Sequence, residues 1–126
     1  MWQFLAAIEG IRDACLALGL PVVSGNVSFY NETNGRSIAP TPTIGTVGLL
    51  EDVGRHTTQW FKGEGDAVAL LGVTREEIGG SEYMALSHGQ VRGAPPWIDL
   101  EVERRVQKVC LEAIHKDIVR SAHDIA

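Results

Sequence analysis

The sequence has 126 residues, enough for one ordinary domain or parts of two. Hydrophobic residues make up 44% and charged residues 21%, close to the globular average, which argues against general disorder. The formal net charge of -5 argues against a nucleic-acid binder, although backbone N–H groups can hold a phosphate without net positive charge.

Along the chain, Phe4, Ile8, Ile11, Cys15 and Leu18 recur at alternating four- and three-residue steps, which predicts an amphipathic helix over 3–18. Gly19 supplies its C-terminal cap and Pro21 prevents continuation. The helix starts almost at Met1 with no preceding cap, a pattern expected of a chain cut from something longer. Residues 21–31 hold two short β-prone runs, Val22-Val23 and Val27 to Tyr30, with Ser24-Gly25-Asn26 between them. Residues 32–43 read as a loop, with Asn34-Gly35 as a tight-turn signal and Pro40 and Pro42 blocking regular pairing.

Residues 44–53 read as a strand interrupted by Gly45 and Gly48. Polar, glycine-bearing residues 55–65 read as a linker between a first domain, 1–54, and a second, 66–126. Residues 66–73 form a short apolar run suited to a buried strand. Ser81 is placed to cap a short helix over 82–87, and Asp99 another over 100–115. The latter has a core stripe of Val102, Val106, Val109 and Ala113, acids near its positive end, and Glu101/Arg105 and Glu112/Lys116 pairs in the favourable order. Ile118-Val119 could begin a last strand. Helices and strands thus mix in an α/β or α+β arrangement.

No apolar run approaches the roughly 18 residues of a membrane span. No basic segment followed by an apolar one suggests a signal peptide. The expectation is a cytoplasmic protein, with Cys15 and Cys110 as buried free thiols, although spacing alone leaves a disulfide open. His56, His88, His115 and His123 share no metal-like spacing with each other or with the cysteines. Trp2, Trp60 and Trp97 are scattered, as packing residues at domain contacts would be.

The chemistry-bearing stretch is 21–33, PVVSGNVSFYNET. Ser24, Asn26 and Ser28 alternate, so an extended chain puts them on one face. Gly25 lets the backbone approach a bulky ligand. Asn26 offers a neutral oxygen to a Mg²⁺ already held by phosphates and water, and Ser28 a hydroxyl that donates and accepts. The plain alternative is a hairpin with a glycine turn, its small polar groups satisfying backbone.

This motif, followed in order by Pro40 to Gly45, Val47 to Val53, Gly79-Gly80-Ser81-Glu82-Tyr83 and Arg120 to Ile125, resembles the synthetase subunit of the formylglycinamide ribonucleotide amidotransferase (phosphoribosylformylglycinamidine synthase) family. The resemblance covers nearly the whole chain. It implies a PurM-like, AIR-synthetase-like two-domain unit: the end of an N-terminal-type, ATP-binding domain, then the start of a C-terminal-type domain, from the second of two tandem copies.

It also implies that Gly25 lies at an ATP site, that Asn26 binds Mg²⁺, and that Ser28 contacts formylglycinamide ribonucleotide. Phe29 replaces the leucine usual in the family. Partners implied in the same way are a glutaminase subunit and a small bridging subunit. The family reaction uses ATP to activate the substrate's amide oxygen, and ammonia then displaces the phosphate. The family's catalytic histidines, other Mg²⁺ carboxylates and nucleotide-binding lysine have no counterpart here, so no catalytic residue is assigned and the chain alone is expected not to turn over. Glu32 lies within the motif, next to the candidate site at 25–28, and His123 has no role that the resemblance supplies. A related kinase type, acting on selenium or thiamine phosphate chemistry, is disfavoured by the SGNVSFYNET and GGSEY motifs. A non-catalytic scaffold or partner-binding module retaining the fold is the alternative from another class.

Overall fold

In the computed structural model, which describes residues 2–125, the chain divides into two units that meet between Glu51 and Asp52. Helix and strand are mixed: α1 (Trp2–Leu18), β1 (Glu32–Thr33), β2 (Arg36–Ser37), α2 (Glu82–His88) and α3 (Leu100–His115).

In the first unit, α1 forms where the apolar spacing predicts it. Phe4, Ile11, Cys15 and Leu18 are half-buried, whereas Ile8 is exposed. The helix ends in a left-handed Gly19 at φ 69°, and the Leu20 N–H reaches back to the Cys15 carbonyl at 2.9 Å, which satisfies an otherwise orphaned acceptor. Asn34 and Gly35, at φ 52° and 72°, make the two-residue turn of a small antiparallel hairpin that pairs Glu32 with Ser37 and Thr33 with Arg36. Two successive positive φ values match the right-handed twist of the flanking strands. Ile38 N–H donating to the Asn31 carbonyl at 3.1 Å extends the closure.

In the second unit, α2 and α3 start at the expected caps. The Ser81 hydroxyl accepts from the Met84 N–H at 3.3 Å. One Asp99 carboxylate oxygen accepts from the Glu101 and Val102 N–H groups at 3.0 and 3.1 Å. Along α3, Glu101 pairs with Arg104 at 3.1 Å and with Arg105 at 3.9 Å, and Glu112 with Lys116 at 3.7 Å. The helix closes in a two-bond C-terminal motif: Asp117 N–H to Ile114 O at 3.0 Å and Ile118 N–H to Ala113 O at 2.9 Å. Asp117 sits at φ 54° there, the left-handed position that glycine usually fills.

The α3 stripe and the strands differ from expectation. The less exposed stripe of α3 runs through Val102, Val106, Cys110 and Ala113, and Val109 is exposed. The helix turns about 100° per residue, so a shift of one position rotates the inner face, and Gly72 approaches Val106 on that face. The β-prone runs 22–23 and 27–30 and the strands read at 44–53, 66–73 and 118–119 do not form. Among the described residues these stretches have no ladder partners; an isolated parallel bridge joins Thr58 to Ser121, outside all of them. β-prone residues fit a half-buried pleated surface, and without a neighbouring strand their preference has nothing to pair with.

Among the described residues none is buried. The accessible surface is 11597 Å², whereas two separately folded bodies of these lengths would together expose only about 8,000 Å². The thiols of Cys15 and Cys110 are free and half-buried, not buried as expected.

The end motifs of α3 give two opposite predictions. Asp99→Ala removes the cap of two N–H groups and should cost α3 about 1 kcal/mol. Asp117→Gly relieves the left-handed strain and should gain roughly 1 kcal/mol. Helix content by far-ultraviolet circular dichroism and α3 amide protection should move in opposite directions in the two variants.

The Arg104 guanidinium, through a hydrogen bond and its charge, holds the Glu101 carboxyl below the usual carboxylate range. A lowered folded-state pKa means that the contribution is present above the unfolded pKa and is lost as pH falls through the folded one. Glu101→Gln should therefore lower α3 helicity near neutral pH, only slightly because the pair is solvent-screened. The two proteins should become indistinguishable once acid has protonated Glu101.

Candidate functional site

The segment read as a ligand site, Gly25 to Ser28, follows the turn that ends α1. Its neighbours are held by two contacts. The Phe4 ring on α1 meets Phe29 edge-to-face, centroids 5.2 Å apart at 66°. Beyond it, the Asn31 side-chain amide donates to the Ser28 carbonyl at 2.6 Å. The polar residues are thus anchored from their C-terminal side by an aromatic pair and an Asn-built turn, the local closure that short Asn side chains favour.

Every residue from 21 to 31 is exposed. A Cβ built on Gly25 meets nothing within 4 Å. Among the described residues no hydrogen bond occupies the side chains of Ser24, Asn26 or Ser28. Their donors and acceptors therefore face solvent. Such an arrangement can offer backbone N–H groups, one amide oxygen and two hydroxyls to a polar ligand. It has no charged side chain of its own, the nearest in sequence being Glu32, so any anion held here would be held by dipoles.

Among the described residues no group of three or more His, Cys, Asp or Glu side chains could hold a metal ion. Asn26 alone fits Mg²⁺ as a single neutral oxygen donor. Mg²⁺ demands octahedral oxygen coordination, so its other ligands must come from phosphate, water or groups outside this stretch. Glu32 sits in β1, its backbone paired with Ser37, and His123 lies beside Asp124 with Nδ1 3.1 Å from the carboxylate.

A second feature of this unit escaped the sequence reading. An almost wholly apolar groove of about 450 Å³ lies along α1, lined by Ile8, Ile11, Arg12, Cys15, Leu16, Leu20 and Val22. Ile8, Ile11 and Cys15 belong to the stripe read from the sequence, and Leu16, Leu20 and Val22 widen it beyond that reading.

The AIR synthase related protein N-terminal domain model matches residues 1–50. The phosphoribosylformylglycinamidine synthase subunit PurL of an Anaeromyxobacter species is 54% identical over 124 residues, which are 98% of this chain and 16% of that protein. The PurL of Thermomicrobium roseum is 57% identical over 123 residues, 98% of this chain and 17% of the relative. The chain belongs to the PurL family.

PurL of Symbiobacterium thermophilum is 54% identical over 125 residues, 99% of this chain and 16% of that protein. The chain therefore spans about one sixth of the length of the PurL relatives it matches. No solved structure matches it. The AIR synthase match includes the SGNVS motif and all of the first unit but its last residue.

The Phe4–Phe29 contact predicts the order of this segment. An edge-to-face pair is worth about 0.5–1.5 kcal/mol beyond area burial, and an exposed one should lie at the lower end. Phe4→Ala and Phe29→Ala should each speed hydrogen exchange of the 26–30 amides. In a double-mutant cycle their effects should be less than additive, and full additivity would show that the rings do not interact.

Proposed function

We propose that this chain supplies one wall of the nucleotide and substrate site of the ATP-dependent ligase that converts formylglycinamide ribonucleotide to formylglycinamidine ribonucleotide in purine biosynthesis. The observation that carries the reading is the PVVSGNVSFYNET motif, held on an exposed segment with its small polar groups unoccupied, in a chain more than half identical to PurL relatives. In this reading Gly25 brings its backbone against ATP, Asn26 gives its amide oxygen to Mg²⁺, and Ser28 hydrogen-bonds the ribonucleotide. Mg²⁺ would supply charge neutralisation at the transferring phosphoryl group.

The work left to these residues is orientation. A neutral Asn can share a metal with phosphates without adding negative charge where negative charge already accumulates. A backbone amide beside a glycine approaches a phosphate without side-chain obstruction. The Ser28 hydroxyl can donate to a phosphate or accept from an amide, so it can hold the acceptor in register with the nucleotide. The domain reading belongs to the same proposal: 1–54 as the end of an ATP-binding, AIR-synthetase-like domain, 55–65 as a linker, and 66–126 as the start of the next domain. So do a cytoplasmic setting and assembly with a glutaminase subunit and a small bridging subunit.

Accessible apolar side chains on both units fit a chain whose faces are covered by further PurL segments. The purified chain should therefore give no ATP-dependent amidine formation. The test places these 126 residues in the matched stretch of the Thermomicrobium roseum PurL. That chimera should retain activity with ATP, Mg²⁺ and ammonia. Asn26→Ala within it should lower kcat by about a hundredfold and raise the Mg²⁺ requirement, as expected for a lost metal ligand at a phosphoryl-transfer site. A folded but inactive chimera would overturn the family role. An active chimera indifferent to Asn26→Ala would overturn the metal assignment alone.

A further inference from the structure

Within the second unit, two limbs of chain approach each other more closely than side chains permit. A Cβ on Gly79 would be driven into the carbonyl oxygen of Ala94, and would stand 2.9 Å from that residue's N and C atoms. A Cβ on Gly93 would stand 3.0 Å from the Gly79 Cα. The Gly80 N–H donates to the Arg92 carbonyl across this contact at 3.0 Å. Only glycine leaves room for two backbones to pass this way.

Just outside the neck the same limbs are tied twice more. The Glu77 carboxylate accepts from the Trp97 N–H at 3.2 Å, and the Arg75 guanidinium lies over the Trp97 ring, 4.4 Å from its centroid. Between the limbs runs α2, capped by Ser81 and ended by a left-handed Gly89 at φ 66°. Gly79, Ser81, Met84 and Ala85 are half-buried, while the other residues from 77 to 97 are exposed, so what shielding the segment has lies on its own inner side.

The geometry points to residues 77–97 as a self-closed loop that opens and closes as one cooperative unit through the Gly79–Gly93 neck. It carries the Gly79-Gly80-Ser81-Glu82-Tyr83 segment in a fixed conformation before anything else packs on it. Each bond inside it is weak and exposed, but all share one opening event, because separating the limbs breaks the neck, the Glu77 link and the Trp97 stack together. This inference is independent of the nucleotide-site reading, since it uses none of the residues 24–28.

The test uses the 126-residue chain with Trp2 and Trp60 replaced by Phe, so that Trp97 is the sole indole emitter. Amide exchange and Trp97 emission are measured together. The amides of Gly80, Met84, Gly89 and Trp97 should show matched protection. Gly79→Ala should reduce all four about a hundredfold and shift Trp97 emission to the red, while α3 amides are unchanged.

Gly80→Ala is the control. Gly80 is at φ 70° with open space around its Cβ position, so alanine there meets strain but no clash, and the reduction should stay within about tenfold. Arg75→Ala should shift Trp97 emission and lower the same four amides together. The inference is overturned if Gly79→Ala is no worse than Gly80→Ala. It is equally overturned if the four amides respond separately, if none is protected in the parent chain, or if α3 loses protection along with the loop.

Discussion

A helix satisfies its own N–H and C=O groups along its length, whereas a strand must find them on a neighbour. The described residues of this chain divide along that line. Helices α1, α2 and α3 form, α2 and α3 capped at both ends and α1 closed at its C-terminal end, and the β1–β2 hairpin forms because its partner is two residues away. The longer β-prone stretches, within 21–31, 44–53 and 66–73, remain unpaired. The same division explains why none of the described residues is buried. Helical faces and strand faces bury one another when layers stack, and an unpaired strand offers no layer.

The candidate site inherits this condition. The SGNVS stretch is accessible because no strand pairs with it, and its side-chain polar groups are free for the same reason. What order it has comes from its flanks, through the Phe4–Phe29 edge contact and the Asn31 turn. A site made of backbone and neutral side chains depends on orientation more than a charged one does, since dipoles lose their effect quickly when misaligned. Its chemistry is therefore tied to how firmly those flanks hold it.

The helices show how surface electrostatics and capping share the work. On α3 the Asp99 cap closes two backbone donors, while the Glu101–Arg104 and Glu112–Lys116 pairs decorate the outside. Exposed pairs of this kind are screened by solvent and contribute less than a good cap. On α1 there is no acid in the first turn and no base in the last, so its stability rests on composition, the Gly19 closure and the apolar face.

The sequence by itself determined the three helices, their Ser81 and Asp99 caps, the Gly19 stop, the Asn34-Gly35 turn and membership of the PurL family. All of these are set by residues within a few positions of one another, or by motif order along the chain. It singled out Gly25, Asn26 and Ser28 only as candidates, because small polar residues between β-prone runs also suit a plain glycine turn. Tertiary structure alone decided that Cys110 and not Val109 faces inward on α3, that the β-prone runs stay unpaired, and that Gly79 and Gly93 touch. Those outcomes depend on contacts between residues far apart in the chain. Local propensity carries no information about which distant backbone will arrive to complete them.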